Sequence, residues 1–107
     1  MTYGPTNVRV GEVGKELEFF PDAYGLGGLG SLAGATVILA VKHPGASSAV
    51  QFTCAVSEDG TFVTYTTASA TDFPTAGVAT AQLIVTLGSA APLKTDLFPI
   101  SVGPSLI

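Results

Sequence analysis

The sequence is short of charge. Asp, Glu, Lys and Arg make up 11% of its 107 residues, against roughly 25% in an ordinary soluble domain. Four residues are Lys or Arg and eight are Asp or Glu, a formal charge of −4. That excludes the basic footprint of a nucleic-acid binder, and no nucleic acid is expected as a partner. The single cysteine, Cys54, leaves no internal disulfide framework. With one His, His43, and one Cys, a zinc site is excluded as well. The longest apolar run, residues 33–41, is broken by small residues and ends at Lys42-His43. It is too short to span a bilayer, so no membrane partner is expected. The start, Met1-Thr2-Tyr3-Gly4-Pro5, does not read as a secretory signal.

What the chain does have is apolar surface. Hydrophobic residues are 47% and the mean hydropathy is +0.51. A chain of 10.8 kDa makes one domain, exposing roughly 5,500 Å² of the roughly 15,700 Å² of its unfolded form. Two thirds buried is enough for a core without staples. Low charge with high hydropathy has two readings: a greasy free domain, or a surface covered by neighbours in an assembly. The second is adopted here, by analogy with apolar permanent interfaces.

Thirteen Gly and seven Pro are spread along the chain, which leaves little room for helix. Alternation with period two is the stronger signal. Val8 and Val10 flank Arg9. Glu16-Leu17-Glu18-Phe19 sends Leu17 and Phe19 inward, and Pro21 ends that strand or marks an edge. Ala35, Val37, Leu39 and Val41 share one face, with Thr36, Ile38, Ala40 and Lys42 on the other. His43-Pro44-Gly45 is a turn. Val50, Phe52, Cys54 and Val56 share a face before a hairpin turn at Glu58-Asp59-Gly60. Residues 61–67 favour a strand whose inner face is ambiguous. Ala79, Ala81, Leu83, Val85 and Leu87 form a long inward stripe, and Phe98, Ile100 and Val102 close the set. About seven short strands with turn signals roughly every 8–12 residues predict an all-β chain. The expected architecture is an immunoglobulin-like two-sheet antiparallel β-sandwich over residues 8–102. An N-terminal arm (1–7) and a C-terminal tail (103–107) flank it, and a Gly-rich segment covers 23–34.

Few motifs suggest chemistry. Gly25-Leu26-Gly27-Gly28-Leu29-Gly30 matches the dinucleotide fingerprint in letters, but a strand-like segment follows where a helix is needed. It reads as a loop. His43 reads as a turn histidine in water, with no nucleophile motif to serve. Cys54 sits on an apolar face and reads as buried packing. Glu12, Glu16, Glu18, Asp22 and the Glu58-Asp59 pair lack a calcium-loop pattern and read as solvated. Neither a catalytic constellation nor a cofactor is expected, so the chain is read as not an enzyme. Apolar residues on the Gly-rich loop and at the ends are the candidate partner-docking elements: Tyr3, Leu26, Leu29, Leu106 and Ile107.

The order of several segments resembles a known family. Val10-Gly11-Glu12-Val13-Gly14 leads into Leu17-Glu18-Phe19. Leu32-Ala33-Gly34-Ala35-Thr36-Val37 precedes a strand ending in Lys42-His43-Pro44-Gly45. Gly60-Thr61-Phe62-Val63-Thr64-Tyr65-Thr66, Asp72-Phe73-Pro74-Thr75-Ala76-Gly77, Ala79-Thr80-Ala81-Gln82-Leu83 and Phe98-Pro99-Ile100-Ser101-Val102 follow. Over residues 8–102 this resembles the immunoglobulin-like domain of tailed-phage virion proteins typified by the N-terminal domain of the baseplate upper protein. Val78-Ala79 stands where that pattern has a Tyr after Thr-Ala-Gly.

The resemblance implies a structural or attachment role in a phage particle. The chain is then expected to be an accessory capsid decoration or cement protein, or a tail- or baseplate-associated module. Its partners would be other virion proteins, the major capsid protein or tail and baseplate proteins, with many copies or a homo-oligomer in the particle and assembly in the host cytoplasm. The alternative is a glycan- or cell-surface-binding immunoglobulin-like module displayed on the virion, which would use Tyr3, Tyr24 or Tyr65 as stacking rings.

Overall fold

The computed structural model describes residues 6–25 and 31–104. The elements run β1 (Thr6–Arg9), β2 (Glu16–Phe19), a 3-10 turn (Pro21–Tyr24), β3 (Thr36–Lys42), β4 (Val50–Val56), β5 (Val63–Thr66), β6 (Gly77–Thr86), β7 (Leu93–Lys94) and β8 (Phe98–Gly103). Among the described residues there is no α-helix, as the scatter of Gly, Pro and β-branched residues predicts.

One continuous ladder runs β1-β8-β6-β3-β4-β5-β2, with β7 attached to β6. It curls into a half-barrel because β4 changes partner part-way along. Val50 to Cys54 pair with β3, whereas Ala55 and Val56 pair with β5. β1, β8, β6, β3 and the first part of β4, with β7 at the side, therefore form a large half, and the end of β4, β5 and β2 fold over its inner side.

The alternation explains the core. Val37, Leu39 and Val41 of β3, Ala79, Ala81, Leu83 and Val85 of β6, and Ile100 and Val102 of β8 all point to the inside of the curl. Leu17 and Phe19 of β2 and Val63 of β5 meet them from the facing half, and every one is buried. Burying Leu17, Leu39 and Leu83 alone stabilises by about 1.5–3 kcal/mol each. The inner face of β5 is Val63 and Tyr65, continued by Thr67 just past its end. Val63 and Thr67 are fully buried, and Tyr65 packs against the core rim.

Three details differ from the antiparallel seven-strand expectation. First, β1 runs parallel to β8, with Val8 beside Val102 and Arg9 beside Gly103, so the sheet is mixed. Alternation in residues 8–10 marks a strand but carries no information about the direction of a partner ninety residues away. Second, Val50 shares the Phe52–Cys54 face but is 41% exposed. Strand β5 is short and covers only the far end of β4. Third, residues 93–103 form one path along β6 that is interrupted after β7.

Thr95 fills that interruption. Its hydroxyl accepts the Leu83 N–H at 3.0 Å and donates to the Asp96 carbonyl at 2.9 Å. Thr67 serves the other half in the same way, accepting the Lys15 N–H at 2.9 Å where the chain enters β2. These two threonines are the buried polar residues among the described ones. Each supplies an acceptor to a main-chain donor, buried at Leu83 and part-buried at Lys15.

Candidate functional site

Cys54 and His43 both lie near the hydrogen-bonded Tyr65–Asp72 pair, while the acids singled out for chemistry lie on β2, the 3-10 turn and the connections. Cys54 is a buried free thiol on β4, opposite Val37. Burial pushes its pKa up to about 12, partly offset by the Leu39 main chain. A thiol held neutral is a poor nucleophile. Glu16 and Glu18 are exposed on the outer face of β2. Glu12 accepts the Arg9 N–H at 3.0 Å, and Asp59 accepts from Ser57 Oγ, Thr61 Oγ1 and the Thr61 N–H, so both shape turns. Among the described residues no group of three or more His, Cys, Asp or Glu is placed to hold a metal ion. Gly25 closes the 3-10 turn in the left-handed region (φ 97°), and the segment that follows the glycine motif leads into β3, so the motif lacks the helix that a phosphate cradle requires.

His43 corrects one expectation. It is half-buried rather than in water, its ring edge-on to Phe73 with centroids 5.8 Å apart. Its Nδ1 is buried with no hydrogen-bond partner among the described residues. The turn ahead of Pro44 folds the imidazole back over the open end of the curl, where Phe52, Tyr65 and Phe73 cluster.

Two tyrosines of the glycan alternative, Tyr24 and Tyr65, are engaged within the fold. Tyr24 stacks on Phe98, with centroids 3.9 Å apart and planes 11° from parallel. Tyr65 lies against Phe52 at 4.7 Å and donates its hydroxyl to Asp72. Asp72 Oδ2 also accepts the N–H of Ala68 at 2.9 Å and of Ser69 at 3.3 Å. Tyr3, Leu26, Leu29, Leu106 and Ile107 lie outside the described residues.

The feature that sequence reasoning missed is the outer face of the large half. The register places its positions in rows. Thr36 faces Thr86. Thr53, Ile38, Ile84 and Lys94 form the next row, followed by Gln51, Ala40 and Gln82. Lys42, Thr80 and Pro99 come next, then Val78 with Ser101, and finally Gly103 with Arg9. Ile38, Ile84 and Gln82 in the middle are half-exposed, and Val78 is 62% exposed. Lys42, Lys94 and Arg9 mark three margins, and no carboxylate occupies any described position of the face. All eight Asp and Glu residues belong to β2, the 3-10 turn and the connections. Beside Arg9 the face opens into a cleft of about 430 Å³ that Glu12, Lys15, Val78 and Ser101 also line. The signal lay in the outward positions of β3 and β6, where Thr, Ile, Ala and Gln stand in place of acids, but only the pairing brings those strands together.

With strands 4.8 Å apart, the face is about 19 Å wide from β1 to β4 and about 23 Å long over β3, or ~450 Å². This is little more than half of the ~800 Å² each partner gives to a standard interface. A single contact through it is therefore weak, and useful attachment needs several contacts at once. Compared with protein-family models and with curated proteins, the chain matches none.

Proposed function

We propose that the chain is a structural docking module of a tailed-phage particle. In this reading it is an immunoglobulin-like β-sandwich that attaches as an accessory decoration or cement piece on the capsid, or as a module of the tail or baseplate. The observation that carries the reading is the broad outer sheet face without a carboxylate. A free soluble domain protects such a face with interspersed charge, whereas a covered one does not need it.

Two further features support it. The resemblance over residues 8–102 points to virion domains of this kind. The two halves of the curled sheet, with β4 turning from one to the other and β1 parallel to β8, are compatible with an immunoglobulin-like course of the chain. The work of such a module is burial. A face of this size gives little affinity alone, and the symmetry of a particle multiplies it.

The experiment is mass spectrometry of density-gradient-purified particles made by cells that carry the gene. The chain is expected in many copies per particle, and an Ile84→Glu variant, verified as folded by circular dichroism and carrying a carboxylate at the centre of the face, is expected to be left out. Particles that lack the wild-type chain, or that take up the variant equally well, overturn the reading.

A further inference from the structure

The charge of this molecule is unevenly distributed over its sides, with two exceptions: Glu12 lines the cleft beside Arg9, and the exposed Lys15 directly precedes Glu16. Lys42, Lys94 and Arg9, three of the four Lys and Arg residues, edge the outer face of the large half. The opposite side, beyond the core, is the outer surface of β2 and β5. It presents Glu16 and Glu18 at registers facing Thr66 and Thr64. Leu17 and Phe19 between them point into the core shared with β3, β6 and β8, so the two glutamates point away from the cationic face.

We propose that the outer face of one copy takes as its partner the acidic β2–β5 side of a second copy, stacked front to back. Front-to-front pairing would set Lys42, Lys94 and Arg9 against their own equivalents, and back-to-back pairing would do the same to Glu16 and Glu18. Front-to-back pairing sets the three cations of the face opposite the two glutamates, and it covers the half-exposed Ile38 and Ile84. Like-charge juxtaposition selects against the other two arrangements and fixes the order of stacking. A contact between two different patches closes into a ring or continues as a filament, according to the rotation between copies.

This deepens the docking role proposed above and rests on the same face. The test separates the two, because it uses the isolated chain and needs no particle. Sedimentation velocity is run on the wild type, on Lys42→Glu/Lys94→Glu and on Glu16→Lys/Glu18→Lys, from micromolar to millimolar, at 50 and 500 mM salt. Circular dichroism verifies that each variant is folded. The wild type is expected to associate reversibly, at least tenfold more weakly at high salt. Each double variant alone is expected to remain monomeric. An equimolar mixture of the two variants is expected to associate again, since each then offers the side the other lacks. A wild type that stays monomeric at millimolar concentration and low salt overturns self-stacking and leaves docking on a different virion protein untouched. Association that survives Glu16→Lys/Glu18→Lys shows that the back is not the partner and also overturns it.

Discussion

The Thr95 hydroxyl stands in for a missing rung of the sheet, accepting the N–H of Leu83 at 3.0 Å while the Thr95 N–H reaches the Leu83 carbonyl at the same distance. The side chain and main chain of one residue thus satisfy both polar groups of its neighbour across the gap between β7 and β8. Gln82 Nε2 adds a bond to the Thr95 carbonyl at 2.8 Å.

Thr95→Val keeps the shape and removes the acceptor. Burying the Leu83 N–H without a partner costs about 1–3 kcal/mol. Urea denaturation should show the midpoint falling accordingly with an unchanged slope, while Thr95→Ser retains most of the stability. Equal losses in the two variants would mean that the methyl group matters and the hydroxyl does not.

Gly60 sits in the left-handed region (φ 72°) in the β4–β5 connection, and its carbonyl accepts the Leu32 N–H at 2.8 Å. A Cβ there would strike Ser31 Oγ and come within 3.1 Å of the Leu32 nitrogen. Gly34 has a similar φ of 79° but open space around it. Gly34→Ala should therefore cost about 1–2 kcal/mol for the backbone alone. Gly60→Ala should cost about 1–3 kcal/mol more, because the 31–33 segment must move away. Thermal melts of the two variants side by side test this, and equal values would remove the packing part of the argument.

The Tyr65–Asp72 pair sets the pH limits. Burial pushes the Asp72 carboxyl up, but the Tyr65 hydroxyl, the N–H groups of Ala68 and Ser69 and the neighbouring His43 pull it further down, so it ends below its ordinary value. A depressed carboxyl stabilises the fold above its unfolded pKa of about 3.9, and that contribution is lost as pH falls through the lower folded value. Asp72→Asn should be less stable than wild type at pH 7, with the gap closing as pH falls below about 4. Melting curves from pH 6 to 2 decide it, and a constant gap sinks the linkage.

Tyr65 sets the alkaline limit. Burial, the bond to Asp72 and the Asp72 charge raise its phenol from 10.0 to about 12. A raised phenol stabilises the fold below its unfolded pKa and loses that contribution as pH rises from 10 towards 12. Burial raises Tyr24 as well, so the ultraviolet titration near 295 nm is read by difference: the late component that disappears in Tyr65→Phe should titrate earlier in Asp72→Asn.

Much of the core was legible in the sequence, because burial along a strand has period two. Leu17 and Phe19, the β3 and β6 stripes, and the Phe98–Ile100–Val102 set all point inward as alternation requires. Features that depend on pairing at long range were not legible. Alternation marks β1 as a strand but does not show that it lies parallel to β8. A Thr at position 95 reads as a loop residue until Leu83 is beside it. The candidate site was hidden for the same reason. An outward Thr or Ile reads as ordinary surface on one strand, and the face exists only once β3, β6 and β8 lie side by side.

The parallel pairing of β1 with β8 places Thr6, where β1 begins, and Gly103, where β8 ends, at opposite ends of one seam. Tension applied through those ends pulls β1 and β8 past each other along their length, so the rungs from Thr6 to Gly103 are loaded together and not opened one at a time like a zipper. A domain threaded in this way resists stretching along its own axis far better than peeling from the side. In single-molecule pulling it should rupture in one high-force event when held by its two ends, and at clearly lower force when held through a cysteine placed on β5.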